Sequence, residues 1–250
     1  MVRGKGMYLW DSTGKQYLDF IAGWAVNSLG HSPQVLQDVL AEQSLQLINA
    51  SPAFYNDQFL AYARLLSENS CFDKVFFGSS GAEANEAAIK LARKYGECHK
   101  EGAYQIVTMD NSFHGRTLAT MSATGKASFK PMFEPKVPGF VHVPHNDIAA
   151  VEAAINEETV AVMLELVQGE AGVYPVDTAY IQALRQVCNE TQTLLIVDEI
   201  QTGFGRTGTL FAYQGYGIEP DIMTLAKGMG GGFPVSAMCA KAALDLFEPG

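Results

Sequence analysis

The chain has 250 residues, 48% of them hydrophobic and 18% charged, enough for one large α/β domain with an ample core. Its 27 acidic and 17 basic side chains give a net charge of -10, which argues against nucleic acid or an anionic membrane surface as the main partner. A small molecule or another protein fits better, and so low a charge content leaves room for a buried subunit interface, although a compact monomer with a thick core reads the same way.

Cys71, Cys98, Cys188 and Cys239 show no CxxC spacing, so they read as reduced, cytosolic thiols rather than a zinc knuckle or a disulfide framework. Arg3 and Lys5, followed by Tyr8-Leu9-Trp10-Asp11, do not read as a signal peptide, and no apolar run approaches the length of a membrane span.

In chain order, Met7 to Trp10 and Gln16 to Phe20 flank the turn Asp11-Ser12-Thr13-Gly14-Lys15, a hairpin pattern. Helical spacing follows at Pro33 to Ile48 and at Gln58 to Asn69. Strands are then expected at Lys74 to Phe77, Gln105 to Met109, Phe140 to Val143, Val160 to Leu166, Thr193 to Val197 and Ile222 to Leu225. Helices are expected at Ala82 to Tyr95, with Gly96 as its cap, at Asp147 to Asn156 and at Thr178 to Thr191. Alternation of this kind predicts an α/β fold, a mostly parallel sheet with helices on both faces. Ala242 to Glu248 begins a further helical pattern that stops at Pro249-Gly250. His142 and His145, three apart beside strand residues, read as surface histidines rather than metal ligands.

Ligands bind outside the carboxyl ends of parallel strands, so polar residues placed there carry most information. Asp198 ends the run Thr193-Leu194-Leu195-Ile196-Val197, and Lys227 ends Ile222-Met223-Thr224-Leu225-Ala226. Such a pair suits pyridoxal phosphate: an amine for its aldehyde and a carboxylate for its pyridine nitrogen. Read singly, Lys227 is a loop lysine, and Asp198 a helix cap or a magnesium ligand. Gly78-Ser79-Ser80-Gly81, between a strand and the helix at Ala82, leaves backbone N–H groups at a helix N-terminus, an anion site with Glu83 as competitor; standing alone it reads as an ordinary tight strand-to-helix turn. It is neither a Walker loop nor a GxGxxG fingerprint. Phe113 could cover a flat ring and Arg116 clamp a carboxylate, with a core Phe and a surface Arg as the plain alternatives. Glu165 and Glu170 flank Leu166-Val167-Gln168-Gly169 at another strand end, where carboxylates need a partner or a polar cleft.

The stretches SSGAEANEAAIKLARKYG (79–96), FHGRTLATMSATG (113–125), VDEIQTGFGRTG (197–208) and TLAKGMGGGFP (224–234) resemble the class III, ornithine-type, pyridoxal phosphate aminotransferases of fold type I. Within that class, Gly23-Trp24-Ala25-Val26-Asn27, Ala119 to Gly125 and Val137-Pro138-Gly139-Phe140 are most similar to the acetylornithine aminotransferases.

The resemblance implies that Lys227 forms the Schiff base and shuttles the proton, that Asp198 pairs with the pyridine nitrogen, and that Gln201 bonds the phenolic oxygen. It makes Phe113 the ring-stacking residue, gives Ser80, Gly81 and Ala82 the phosphate, Arg116 the donor's α-carboxylate and Glu170 a gating role opposite an arginine, and sets Glu165 in the polar wall. The implied reaction moves an amino group from N-acetylornithine to 2-oxoglutarate in arginine biosynthesis, in a cytoplasmic homodimer. Ornithine, succinylornithine and 4-aminobutyrate are rival donors, and an aminomutase, a racemase or an inactive fragment are rival readings. Leu166 departs from the proline usual at that place. The resemblance further implies that residues 1–30 belong with a small domain, that 31–250 form the large cofactor domain without its C-terminal end, and that a gating arginine and a cross-dimer phosphate ligand lie beyond this chain.

Overall fold

The structure, a computed structural model, describes residues 1–51 and 53–248. The chain opens with β1 (Arg3–Lys5), β2 (Tyr8–Trp10) and β3 (Gln16–Leu18), an antiparallel three-stranded sheet in which the expected hairpin gains an extra first strand. A helical turn, α1 (Ala22–Ala25), follows, with Ala22, Gly23, Trp24 and Ala25 all at positive φ. Left-handed backbone costs L-residues roughly 1–2 kcal/mol each, so tertiary contacts must hold this turn. Arg206 Nη2 donates to Ala25 O at 3.3 Å from across the fold. Helices α2 (Gln34–Gln46) and α3 (Asp57–Glu68) follow, α3 capped by Asn56, whose side chain accepts from the N–H groups of Gln58 and Phe59.

The remaining elements are β4 (Lys74–Gly78), α4 (Gly81–His99), β5 (Gln105–Met109), α5 (Leu118–Ala123), β6 (Phe140–Val143), α6 (Ile148–Ala154), β7 (Thr159–Leu164), β8 (Val167–Gln168), β9 (Tyr174–Pro175), α7 (Thr178–Glu190), β10 (Leu194–Asp198), α8 (Ala212–Tyr216), β11 (Ile222–Leu225) and β12 (Ser236–Ala240). Among the described residues they build a seven-stranded sheet of order β4-β12-β11-β10-β7-β5-β6. The pairings β10 with β11, β10 with β7, β7 with β5 and β5 with β6 are parallel, whereas β12 lies antiparallel between β11 and β4. β12 (Ser236–Ala240) fell outside the sequence expectation, its small residues following a glycine-rich loop.

Period-two alternation divides the central strands between two cores. Ala161, Met163, Leu194 and Ile196 turn towards α4, while Val162, Leu164, Leu195 and Val197 turn towards the opposite core with Ile181 and Leu184 of α7. Ala84, Ala87, Ala88 and Ala92 make the buried face of α4 shallow, which brings this helix close onto the sheet.

Gly96 does not cap α4. The helix runs on to His99, and Gly96 is buried where a Cβ would lie 1.7 Å from Ala103 O. The stop comes at Lys100 and Glu101, the latter at φ +53, a turn that brings Gly102 N–H back to Gly96 O at 3.0 Å. The pattern from Ala242 yields only a short 3-10 turn, Ala242–Leu244, and Pro249-Gly250 lie outside the described residues. His142 is not a surface residue: it is half-buried, with Nε2 3.2 Å from Ala123 O. Among the described residues no helix is long and apolar enough to cross a membrane.

Candidate active site

The carboxyl ends of β4, β5, β7, β10 and β11 share one edge of the sheet, so the segments that follow them meet there. Because β12 runs the other way, its beginning reaches the same edge, with Ser236 opposite Gly78. A cleft of about 430 Å³ opens between these segments, a size usual for a small-ligand site. Ser80, Gly81, Ala82, Phe113, Arg116, Glu165, Glu170, Asp198, Gln201 and Lys227 all line it. The structure thus brings together every site residue expected from the sequence, and adds Val26, His114 and Phe233-Pro234-Val235 to the wall.

Asp198 is buried at the end of β10. Its Oδ2 accepts from Asn85 Nδ2 at 2.8 Å and lies 2.8 Å from His114 Nδ1, while Oδ1 accepts from Ile200 N–H at 3.1 Å. Asn85 also donates to His114 O at 2.7 Å, tying α4 to the segment after β5. Burial alone would lower the pKa of His114, but the hydrogen bond and charge of Asp198, with the charge of Glu165, outweigh it and raise it. Neither Asn85 nor His114 was singled out from sequence as a partner of Asp198, and the adjacency of His114 to Phe113 was the only available signal.

Lys227 follows β11 with φ +46, a left-handed conformation that costs a non-glycine residue on the order of 1 kcal/mol. Burial pulls its pKa down, against the opposing pull of the Asp198, Glu165 and Glu170 carboxylates. The glycines after it have packing reasons: a Cβ on Gly228 would lie 2.9 Å from Ser28 Oγ, and one on Gly231 would lie 2.9 Å from Leu29 Cδ1. The N-terminal segment therefore rests directly on the lysine loop.

Glu165 is buried just past β7, and its Oε2 accepts from Phe113 N–H at 2.9 Å. Burial raises its pKa, so part of its population is protonated near neutrality. Leu166, in the place where proline is usual, is fully buried and its carbonyl accepts from Val176 N–H at 2.9 Å. Glu170 lies 3.4 Å from Lys126 Nζ at the rim, and Arg116 is exposed there. At the start of α4, Ser80 caps Glu83 N–H, while Glu83 Oε2 accepts from Ser79 N–H at 2.9 Å and Ser80 Oγ at 3.0 Å. Glu83 is thus the competitor for anions expected from the sequence. Gly81 must lack a side chain, since a Cβ would lie 2.8 Å from Ile200 Cδ1. Gly169 gives way likewise to Gln201, whose Oε1 would lie 1.7 Å from such a Cβ.

An amine, a buried carboxylate, a half-buried aromatic face and a helix N-terminus opening on one cleft form a donor set that fits pyridoxal phosphate. On this sheet they define the fold type I class of pyridoxal phosphate architectures. The chain belongs to the class-III aminotransferases, whose family model, "Aminotransferase class-III", matches residues 1–250. It is 59% identical over 251 residues to the acetylornithine aminotransferase of Ralstonia nicotianae, covering 99% of this chain and 63% of that protein. Among solved structures, the ornithine aminotransferase of Toxoplasma gondii superposes with a TM-score of 0.94 at 35% identity, covering 99% of this chain and 60% of that one. The N-acetylornithine aminotransferase of Stenotrophomonas maltophilia gives 0.85 at 39% identity, with coverage of 97% and 62%. The chain therefore spans a little under two thirds of the length of these relatives.

Proposed function

We propose that this chain carries the cofactor half of a transaminase that takes the amino group of N-acetylornithine and passes it to 2-oxoglutarate. The observation that carries the reading is the convergence of Lys227, Asp198, Phe113 and Gln201 on one cleft. The donor assignment is supported by relatives named as acetylornithine aminotransferases at 48% to 59% identity. When bound, pyridoxal phosphate supplies an aldehyde that carries the amino group and a ring that accepts electrons.

The chain's own residues divide the remaining work. Lys227, its amine shifted towards the neutral form by burial, holds the aldehyde and then moves the proton at its Nζ. Asp198 would pair with the ring nitrogen and hold a proton there; Asn85 and His114 occupy its Oδ2 and fix its orientation. Phe113, held by Glu165 through its backbone N–H, would cover one ring face. Gln201 would bond the phenolic oxygen, and the N–H groups at Ser80, Gly81 and Ala82 would hold the phosphate in place of the Glu83 carboxylate, which now accepts from Ser79 N–H. Arg116 at the rim takes a substrate carboxylate in two parallel hydrogen bonds. Glu170, with Lys126 beside it, meets the distal part of the substrate.

The partner assigned to the exposed apolar surface of this chain is a second copy of it. Helix α2 has no buried residue, and Leu45 is 88% exposed, Phe20 89% and Tyr55 92%. Apolar side chains this exposed need a cover of comparable character. Reduced Cys71, Cys98, Cys188 and Cys239 support a cytoplasmic setting.

A visible absorption spectrum with pyridoxal phosphate, run beside Lys227→Ala, tests the reading. A lysine-dependent band that bleaches on addition of N-acetylornithine, and more slowly with ornithine, is expected. No band, or faster bleaching by ornithine, would overturn the cofactor or the donor assignment respectively.

A further inference from the structure

Alternation along β10 turns Asp198 into the cleft and Glu199 to the opposite side of the strand end. Glu199 is fully buried. Its Oε2 accepts from Ala212 N–H at 2.7 Å and its Oε1 from Tyr213 N–H at 2.8 Å, so one carboxylate satisfies the first two amides of α8. The backbone of Glu199 is pinned too: its N–H donates to Thr224 O at 2.9 Å, and its carbonyl accepts from Gly203 N–H at 3.0 Å. Gly203 is needed for that approach, since a Cβ there would lie 2.9 Å from Glu199 O and 3.1 Å from Leu225 Cδ2.

Between Glu199 and α8 the chain makes an excursion, residues 200–211, whose two ends this single side chain ties together. The excursion carries Ile200, which fills the space beneath Gly81, and Gln201, which lies against Gly169. A five-residue helix needs no buried charge merely to be capped, because an exposed Ser or Asp would do it at lower desolvation cost. A buried carboxylate offers instead two acceptors in a rigid fork. Glutamine has one acceptor, and its NH₂ would face an N–H.

We propose that Glu199 is a positioning residue which locks the 200–211 excursion to the end of β10, and thereby sets Gln201 and Ile200 at the cleft without touching a ligand itself. The lock responds to pH. Burial pushes the Glu199 carboxyl up to about 7, against the Tyr213 and Ala212 N–H groups that favour its charged form, and the Asp198 charge adds to the rise. The titratable groups facing it are Asp198 on β10 and Tyr213 and Tyr216 on α8. On protonation one oxygen becomes a donor aimed at an amide N–H, and one of the two ties is lost.

Amide hydrogen exchange in the protein without pyridoxal phosphate, from pH 6 to 8.5 and corrected for intrinsic rates, reads the lock directly. Protection at Ala212 and Tyr213 should fall about tenfold on going below the Glu199 pKa, while Ile196 and Met223 on the central strands hold theirs. Glu199→Gln should be weakly protected at every pH. Its affinity for pyridoxal phosphate should be about tenfold weaker than wild type at pH 8 and equal to it at pH 6. A loss equal at both pH values, or pH-independent protection in the wild type, would overturn the proposal.

Should Glu199→Gln not fold, Ala212→Pro removes one of the two donors. Phe211 already has φ -120 and ψ 140, as a residue before proline requires, and proline suits the first position of a helix. The midpoint of the wild-type exchange transition should then move to higher pH, and an unmoved midpoint counts against the lock. Only the affinity arm rests on the cofactor reading. Failure of the wild type to bind pyridoxal phosphate would sink that reading and leave the exchange arm to decide on Glu199.

Discussion

The strands from β5 to β12 and the first 68 residues draw on the same apolar alphabet and spend it differently. Leu195, Ile196 and Val197 of β10 are wholly buried, with helices over both faces. In α2, Val35, Val39, Leu40 and Leu45 are all exposed, and α3 buries only Leu66. The first region is stabilised within the chain, whereas the second leaves its apolar surface for something outside it. Hydrophobicity in a sequence therefore reports that a surface will be covered, and not by which chain.

The sharpest way to break this contrast is Leu45→Glu. If a second copy covers α2, sedimentation should show the assembly shifting to monomer, with far-ultraviolet circular dichroism unchanged. An unaltered oligomeric state would remove α2 from the interface. Next in size, Leu195→Ala should cost about 2–5 kcal/mol in denaturant unfolding through its lost contacts and residual cavity. Leu45→Ala should change the unfolding of the dissociated chain by no more than about 0.5 kcal/mol. Equal costs would mean that the N-terminal region has an internal core of its own.

A smaller effect separates the cleft from both regions. Burial raises the pKa of Glu165 in the folded chain, so its contribution to stability is fully present below the ordinary carboxylate range and is lost as pH rises through the raised value. Glu165→Gln should therefore gain on wild type by about 1–3 kcal/mol between pH 5 and pH 8.5 in chemical denaturation. A difference that stays constant across that range would show that Glu165 does not titrate differently on folding.

The elements most legible in the sequence were those fixed by local period: β5, β6 and β11 coincide with their expected bounds, and α7 nearly so. Lys227 and Asp198 were legible for a related reason, as charges ending apolar runs at the one edge of a parallel sheet where ligands bind. Arg116 and Glu170 stood out in the same way at other strand ends, whereas Gln201 came only from the family motifs. Local pattern misled at Gly96, where a glycine suited to ending a helix instead admits Ala103 O against its last turn.

What the sequence determined by itself was the alternation of strands and helices and the identity of the residues at the strand ends, because both follow from neighbours a few positions away. Tertiary structure alone decided that Asn85 and His114, 113 and 84 residues from Asp198, share its Oδ2, and that Glu199 ties its strand to α8. It also decided that Asn27 to Leu29 lie on the glycines after Lys227. Such contacts join residues with no periodic relation along the chain. Packing chooses them, because a buried carboxylate or a close backbone approach is tolerable only where folding has already brought the matching donor or the missing side chain into place.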